Sequence, residues 1–236
     1  MERLDKILSN LGYGSRKELK GIIKRGVVQV DGVVVKDNGK IIDIEKSIVK
    51  INGEQIVYRK FIYLIMNKPD GVISATRDNR EETVIDLLHP DHQAFDPFPV
   101  GRLDKDTVGL LLLTNDGELA NKILEADNGH EKEYIVTLNK PYDDKFLEDM
   151  ARGVEIGDEK TRPSTLEKIS EDTFSIILTQ GLNRQIRRMS KTLGYNVVRL
   201  QRIRIMNIKL EGLIYGKWRD LTEDELRELR NLCYII

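Results

Sequence analysis

PVGRLDKDTVGLLLLTNDG, residues Pro99 to Gly117, is the stretch of this sequence that decides the fold. Its apolar run, Val108–Leu113, predicts a buried strand, and a buried strand needs no charged residues beside it. Yet Arg102 and Asp104 lie just upstream, separated by Leu103. Because side chains alternate along an extended chain, we expect both charged groups on one side and Leu103 in the core. The stretch therefore predicts a core strand with a charged pair, facing a cleft, at its start.

Composition bounds the class of protein. The chain has 236 residues, 40% hydrophobic and 33% charged, which is typical of a soluble globular protein with one large domain or a small and a medium one. MERLDKILSN, at the N-terminus, lacks the apolar core of a signal peptide, and no apolar run is long enough to cross a bilayer. The single Cys233 excludes an internal disulfide, and the histidines show no metal-ligand spacing. We expect a cytoplasmic protein without membrane contact or structural metal.

Charge is distributed unevenly, although the net charge is only −1. Residues 1–60 carry 13 basic and 8 acidic residues, and residues 183–219 carry 10 basic residues and one acidic residue. Residues 139–175 compensate, with 10 acidic and 6 basic residues. This distribution favours a positive surface for a polyanion; scattered surface charge remains a reasonable alternative for the first region.

The first sixty residues predict two short helices and a hairpin. LDKILSNLG and SRKELKGIIK have helical apolar spacing, and Ser15 with Glu18 predicts a capping box at the second helix. VVQVDGVVV predicts a hairpin that turns at Asp31-Gly32. The second helix has a basic outer stripe: Arg16, Lys17, Lys20 and Lys24. Over residues 2–50 this pattern resembles the S4 RNA-binding domain, which implies RNA binding through phosphates and shape; the alternative is a small cap whose lysines are only solvated.

From about Phe61 the sequence predicts a longer array of strands and helices. Strands are expected at FIYLIM, VGLLLLT, KEYIVTL, TFSIILT and NVVRLQRIRIMNIKL. Helices are expected near Thr83–Leu88, after the cap Asp116, over KFLEDMAR ending at Gly153, over 184–193, and after the cap Thr222.

The helix over 184–193 carries an unusual charge pattern. Its basic residues, Arg184, Arg187, Arg188 and Lys191, fall on one face at i, i+3, i+4 and i+7. Its apolar residues Ile186, Met189 and Leu193 fall on the other face, and we expect Asn183 to cap the helix and Gly194 to end it. No glutamate interleaves the cations, so phosphate contact is a better interpretation than a solvated face.

Several catalytic motifs are absent from the sequence. It contains no GxxxxGK[ST], GxGxxG, HExxH or GxSxG motif and no cysteine–histidine zinc pattern. We therefore expect any enzyme activity to proceed without a metal or organic cofactor. Acid–base or nucleophilic chemistry by a carboxylate held near arginines is the leading candidate.

Four segments together resemble one family, the RsuA group of ribosomal RNA pseudouridine synthases, which carry an N-terminal S4 domain. The segments are NKPDGVIS (67–74), GRLDKDTVGLLLLTNDG (101–117), KEYIV (132–136), and QGLNRQIRRM (180–189) with LQRIRI (200–205). The segments RIMN and WRDLT are similar to those of one member of this group, the F-type synthase, which acts on large-subunit rRNA. The resemblance implies an α+β protein: an S4 domain and linker over 1–60, then a synthase domain over 61–236 with a mixed, mainly antiparallel sheet flanked by helices.

The resemblance also assigns roles to individual residues. Asp104 takes the position of the catalytic aspartate, which acts as a nucleophile on the sugar or base, or as a base through a glycal. Arg187 takes the position that pairs with it, and a neighbouring arginine favours an ionised carboxylate. Tyr134 takes the position that stacks on the target base and helps to remove the C5 proton. Arg102 takes the position that enters the stack when the uridine flips out, and Lys68 lies in a turn near the cleft as a candidate RNA contact.

The flanking glycines of the opening stretch also gain an interpretation. Gly101 and Gly109 are expected to let RNA backbone or neighbouring chain approach closely. The predicted substrate is 23S rRNA or its large-subunit precursor, with a tRNA anticodon loop as a second candidate, and the protein is expected to act as a monomer. Two other hypotheses remain open: a non-catalytic S4-domain assembly or rescue factor, which leaves GRLD unexplained, and a silent homologue that acts as an rRNA chaperone.

Overall fold

The structure is a computed structural model that describes residues 1–43, 46–56, 59–125 and 129–234. The chain forms two compact units: Met1–Ile62 with His89–Asp96, and Tyr63–Leu88 with Pro97–Ile236. The predicted boundary after residue 60 lies close to the end of the first segment, and Val57 and Tyr58, in the expected linker, lie outside the described residues. Within the described ranges, no helix has the length and apolar character required to span a membrane.

The first unit combines helices with short strands. Numbered in chain order, its elements are β1 (Glu2–Arg3), α1 (Leu4–Asn10), α2 (Arg16–Lys24), β2 (Val28–Val30), β3 (Val33–Val34), β4 (Ile41–Ile42), β5 (Val49–Ile51), β6 (Glu54–Gln55) and α3 (Pro90–Gln93). Four strands form a sheet in the order β3-β2-β5-β6, and β1 pairs with β4. Its core buries the apolar faces of α1 and α2 against the valines and isoleucines of the strands.

Local chemistry in this unit follows the predictions. Ser15 and Glu18 form the capping box at the start of α2, each side chain bonding the backbone N–H of the other. Asp31 and Gly32 join β2 to β3 with positive φ angles of 53° and 81°, the conformation that a two-residue hairpin turn needs.

The second unit is built around one sheet. Its elements are β7 (Tyr63–Lys68), β8 (Phe98–Pro99), β9 (Val108–Thr114), α4 (Gly117–Leu124), β10 (Lys132–Leu138), α5 (Asp144–Arg152), β11 (Glu155–Ile156), β12 (Glu159–Lys160), β13 (Thr165–Lys168), β14 (Thr173–Leu178), α6 (Gln185–Thr192), β15 (Val197–Ile205), β16 (Ile208–Lys209), β17 (Trp218–Asp220) and α7 (Glu223–Tyr234). The main path runs β13-β14-β10-β15-β9-β7-β17, with β8 on β9 and β16 on β15. Only the β15–β9 pairing among these is parallel, which confirms the mixed, mainly antiparallel sheet.

Strand β9 lies inside this sheet, as its continuous apolar run predicted. All seven of its residues are buried, with β7 antiparallel on one side and β15 parallel on the other. Gly109 allows that parallel neighbour to come close: its φ is +103°, and an added Cβ would lie 2.2 Å from the backbone O of Arg202. The close approach of the β15 backbone, and not of RNA, therefore explains why glycine is needed at position 109.

Two hydrophobic cores hold the helices against the sheet. The first packs α4 and α7 against β7 and β9, with Leu119, Ile123 and Leu229 among its buried side chains. The second packs α5 and α6 against β10 and β14, with Phe146 and Met189 fully buried. This second core anchors the apolar face of α6 and so positions the basic residues of that helix.

The predicted helix at Thr83–Leu88 is wrong. Residues 84–87 form turns, and Thr83 forms an isolated bridge with Ile73. The carboxylate of Asp86 accepts hydrogen bonds from the Thr83 N–H and hydroxyl, both at 2.8 Å. Such local side-chain bonds offer the backbone an alternative to a helix, which begins only at Pro90.

Candidate active site

A tight turn before β9 carries Asp104. We call residues Asp104–Thr107 the Asp104 turn; the Thr107 N–H donates to the Asp104 carbonyl at 3.0 Å and closes it. Leu103 is buried, as predicted, and Ser74 holds its backbone on both sides: the Leu103 N–H donates to Oγ at 3.1 Å, and Oγ donates to the Leu103 carbonyl at 2.9 Å. These contacts fix the backbone around Asp104, and its side chain is one-third exposed, so the carboxylate is open to a ligand.

Lys68, at the end of β7, supports the same turn from below the surface. Its side chain is fully buried, and Nζ donates to the carbonyls of Pro69, Lys105 and Thr107 at 3.0, 3.3 and 2.9 Å. Burial lowers the pKa of Lys68 to about 8, against the attraction of nearby carboxylates. The prediction that Lys68 contacts RNA is therefore wrong: the side chain is inaccessible and bonds the backbone of the Asp104 turn.

Arg184 is the arginine nearest to Asp104. It lies at the N-cap of α6 in the left-handed region (φ 48°, ψ 34°), so Asn183 is not the capping residue that we predicted. Its guanidinium donates to both carboxylate oxygens of Asp106, at 3.1 and 2.9 Å, and Nη1 lies 3.4 Å from Oδ2 of Asp104. These hydrogen bonds hold the pKa of Asp106 below its ordinary value.

Arg187 binds the same loop in a different way. Its side chain is only 13% exposed; Nη2 donates to the Asp106 carbonyl at 2.7 Å and Nη1 to the Val197 carbonyl at 2.9 Å. Its carboxylate contact is with Asp106, at 3.3 Å. The expected Arg187–Asp104 pair is thus replaced by an Arg184–Asp104 contact, because Arg187 is drawn inward by two backbone carbonyls.

The predicted basic face of α6 is only partly an open surface. Arg188 and Lys191 are exposed, although Arg188 donates to the Ile156 carbonyl at 2.8 Å. Ile186 and Met189 are buried on the other face, as predicted. Arg188 and Lys191 are therefore exposed cations of this face, whereas Arg184 and Arg187 both bond Asp106 in the Asp104 turn.

Sheet register relates Tyr134 to the start of β9. Tyr134 pairs with Arg202 on β15, and Arg202 pairs with Gly109 on β9. Two strand spacings place Tyr134 roughly 10 Å from Gly109 across the sheet. The ring is half-buried and packs against the second core. Arg102 is exposed, two residues before Asp104.

The basic residues predicted in the first unit are also exposed. Arg16, Lys17 and Lys20 all lie on the outer surface of α2, opposite the buried Leu19 and Ile23. They are available to a polyanion, as the amphipathic pattern indicated.

Sequence reasoning missed the residues that fix the turn. Asp106 lies two positions after Asp104, and this second carboxylate in DKD was the available signal for an arginine partner. The Ser74 contact joins residues 29 apart, and nothing in a linear pattern specifies it.

The site combines a partly exposed carboxylate, an adjacent guanidinium and a rigid backbone. A cleft of about 420 Å³ lies beside it, and its lining residues are Asp70, Asp106, Val108, Arg187, Val197, Val198, Arg199, Leu200 and Tyr215. In the described part of the chain, no three acidic, cysteine or histidine side chains are grouped to hold a metal ion. A carboxylate flanked by cations suits nucleophilic or general-base chemistry on an anionic substrate.

Comparisons with known proteins show which families the chain matches. The family described as RNA pseudouridylate synthase matches residues 62–192, and the S4 domain family matches residues 2–55. Among solved structures, a crystal structure of a pseudouridylate synthase aligns with a TM-score of 0.68 and 30% identity, over 97% of this chain and all of the other.

Curated relatives are similar over nearly the whole chain. The uncharacterized RNA pseudouridine synthase YtzG of Bacillus subtilis is 45% identical over 233 residues, covering 96% of this chain and 98% of the relative. The dual-specificity RNA pseudouridine synthase RluF of Escherichia coli K12 is 43% identical over 235 residues, covering 98% of this chain and 79% of the relative. Ribosomal large subunit pseudouridine synthase B of B. subtilis is 37% identical over 241 residues.

Proposed function

The chain belongs to the RNA pseudouridylate synthase family, with an N-terminal S4 domain, and on that premise we propose that Asp104 converts a specific uridine of 23S rRNA to pseudouridine. The observation that carries the proposal is the Asp104 turn, where a partly exposed carboxylate meets the guanidinium of Arg184 at 3.4 Å. The name of one relative, ribosomal large subunit pseudouridine synthase B, supports the choice of RNA. A tRNA is a second candidate substrate, since RluF is named a dual-specificity enzyme.

The proposed reaction is an isomerisation and consumes nothing. The N1–C1′ glycosidic bond breaks, the uracil rotates, a C5–C1′ bond forms, the proton on C5 leaves and a proton returns to N1. Asp104 acts as nucleophile on the sugar or base, or as a base that takes a sugar proton through a glycal. No cofactor is needed, because every bond broken is replaced by one formed within the same nucleoside.

The other side chains have supporting roles in this proposal. Arg184 offsets the charge of Asp104, and Arg187 holds the turn through the Asp106 carbonyl. Tyr134 stacks on the flipped uracil and helps to remove the C5 proton, and exposed Arg102 enters the vacated stack. Flipping costs a few kcal/mol, which contacts with the RNA must offset.

Tritium release tests the proposal directly. Large-subunit rRNA labelled at C5 of uridine should lose tritium to water when it is incubated with the protein. Asp104→Asn should keep RNA affinity and lose at least about 10³-fold in turnover, because the variant carries neither a nucleophile nor a base. Asp158→Asn, the same change at an exposed hairpin, is the control and should behave as wild type.

Two outcomes would contradict the proposal. No release from naked rRNA, precursor particles or tRNA would reject the substrate class. Turnover retained by Asp104→Asn would remove Asp104 from the chemistry. Mapping pseudouridines in rRNA from cells with and without the protein then identifies the modified nucleotide, in the cytoplasmic compartment where we propose that it acts.

A further inference from the structure

An aromatic side chain stands at the rim of the cleft without a role in the proposed chemistry. Tyr215 lies in the loop between β16 and β17, and 53% of the residue is exposed. It lines the cleft with Arg187 and Leu200, and so does Val198, which is 62% exposed. A cleft lined by aromatic and apolar side chains with a few polar groups is the usual form of a ligand-binding site.

The tyrosine is held in place by the backbone of the neighbouring turn. The Asp70 N–H donates to its hydroxyl at 2.6 Å. The loop itself is tied to β7 by three hydrogen bonds of Asn67: its carbonyl accepts from the Gly216 N–H at 2.9 Å, its N–H donates to the Lys217 carbonyl at 2.9 Å, and its Nδ2 donates to the Leu213 carbonyl at 2.8 Å. The ring is therefore a fixed platform with an uncovered surface, which lowers the entropic cost of stacking a ligand on it.

This platform is separate from the pair that acts on the target uridine. Neither Asp104 nor Tyr134 lines the cleft. The two places are nevertheless rigidly linked, because the Gly71 N–H, in the turn that binds the Tyr215 hydroxyl, donates to the Lys105 carbonyl in the Asp104 turn at 3.1 Å. A group seated on Tyr215 is thus held at a set distance from the reacting carboxylate.

We propose that Tyr215 stacks an unpaired base of the substrate RNA next to the target uridine, and so helps to select that uridine. RNA loops are recognised chiefly by stacking splayed bases on aromatic rings and guanidinium planes. The cleft offers this combination, with the Tyr215 ring, the apolar side chain of Val198 and the exposed guanidinium of Arg199 for the adjoining phosphate. The inference rests on the proposed function, since it places a substrate nucleotide beside the proposed site.

The experiment uses the full chain and one RNA with two signals. The probe is a large-subunit rRNA hairpin that carries tritium at C5 of its loop uridines and 2-aminopurine in turn at positions beside them. Stacking on Tyr215 should quench the 2-aminopurine fluorescence at one position. Tyr215→Ala should abolish that quench and raise KM roughly 5- to 100-fold, the cost of losing one base–aromatic stack, with little change in kcat.

Two variants separate the ring from the hydroxyl and from folding. Tyr215→Phe loses the bond to Asp70 but keeps the ring, and Tyr215→Trp keeps a stacking surface, so both should retain the quench and a near wild-type KM. Ile169→Ala removes an equally exposed side chain (55%) outside the cleft and should change neither signal.

The two signals fail independently. If Tyr215→Ala keeps both the quench and the wild-type KM, or if Tyr215→Phe is as impaired as Tyr215→Ala, the stacking inference is overturned while tritium release upholds the enzyme function. If wild type quenches the probe in a Tyr215-dependent way but releases no tritium, the stacking contact is upheld and the proposed function fails.

Discussion

At the scale of single residues, the opposite fates of two charged side chains define the site. The side chain of Asp104 is one-third exposed, whereas the side chain of Lys68 is fully buried and donates hydrogen bonds to three carbonyls. The burial of Leu103 beside a partly exposed Asp104 was predictable, because side chains alternate along an extended chain. The burial of Lys68 was not, because two of its three carbonyl partners lie 37 and 39 residues away, and a linear pattern carries no signal for them.

Burial of Lys68 makes the stability of the protein depend on pH. The folded pKa is about 8 and the ordinary value is 10.5, so between these limits the unfolded lysine binds a proton and the folded amine does not. The free energy of unfolding should therefore rise with pH across this window, by at most about 3 kcal/mol. Urea unfolding at pH 7.5 and 10 measures it, with Lys68→Met as the reference in which the rise is absent. An equal pH response in both proteins would contradict the assignment.

Replacement of Gly109 tests the close approach of β15 to β9. In Gly109→Ala the new Cβ meets the Arg202 backbone at 2.2 Å, at a φ that L residues avoid, so we expect a loss of about 4 kcal/mol or failure to fold. Gly117→Ala is the matched control: no atom lies within 4 Å of its Cβ, and it opens α4, so alanine should be neutral or slightly stabilising. Thermal unfolding compares them, and a Gly109→Ala variant as stable as its control would refute the steric argument.

At the scale of elements, helix ends were predicted well where the capping residue is local. Asp116 caps α4, Ser15 caps α2 and Gly153 ends α5, all as expected. The start of helix α6 differs because it depends on a contact with a turn that is distant in sequence. Arg184, at its N-cap, adopts a left-handed conformation and donates a hydrogen bond to Asp106. The sequence predicted the helix itself, but it could not predict which arginine contacts Asp104, because that depends on tertiary contacts.

Helix α7 offers a test of local capping chemistry. Glu225 accepts two hydrogen bonds from Arg219, both at 2.8 Å, and another from the Thr222 N–H, and these bonds lower its pKa to about 2. Its contribution to stability is complete above the ordinary pKa of 4.5 and is lost as the pH falls through about 2. Because Arg219 is partly exposed, we expect Glu225→Gln to cost about 1–2 kcal/mol at pH 7.

Denaturant unfolding of Glu225→Gln between about pH 2 and 7 follows this contribution. The difference from wild type should shrink as the pH approaches 2. Glu171→Gln changes an exposed glutamate that forms no ion pair within the described ranges and should show no such trend. A pH-independent cost for Glu225→Gln would mean that packing, and not the charge, stabilises the helix start.

At the scale of the whole molecule, the two compact units each present exposed cations. Arg16, Lys17 and Lys20 lie in the first unit, and Arg188 and Lys191 lie in the second. The uneven charge distribution indicated both surfaces in advance. Composition could not predict that Arg187 is mostly buried and bonds backbone carbonyls of the site, so that it is not part of the exposed basic surface.

Salt dependence of RNA binding measures what these surfaces contribute. Lys17→Gln with Lys20→Gln, and separately Arg188→Gln with Lys191→Gln, should weaken binding and reduce the slope of log K against log salt by about 0.7–0.9 for each phosphate that the protein no longer neutralises. Filter binding to large-subunit rRNA provides the slopes. Lys160→Gln, an exposed lysine in the acidic region, should leave the slope unchanged. Unaltered slopes in both double variants would mean that neither surface binds phosphate.

The backbone hydrogen bonds that hold the Asp104 turn have an evolutionary consequence. Lys68, Gly71 and Ser74 bind only the backbone carbonyls and amides of residues 103, 105 and 107 in this segment. These contacts therefore do not depend on which side chains the segment carries. The exposed side chain of Lys105 can vary in sequence without displacing the carboxylate of Asp104. Substitutions on the exposed side of this turn should therefore leave the position of the proposed catalytic carboxylate unchanged.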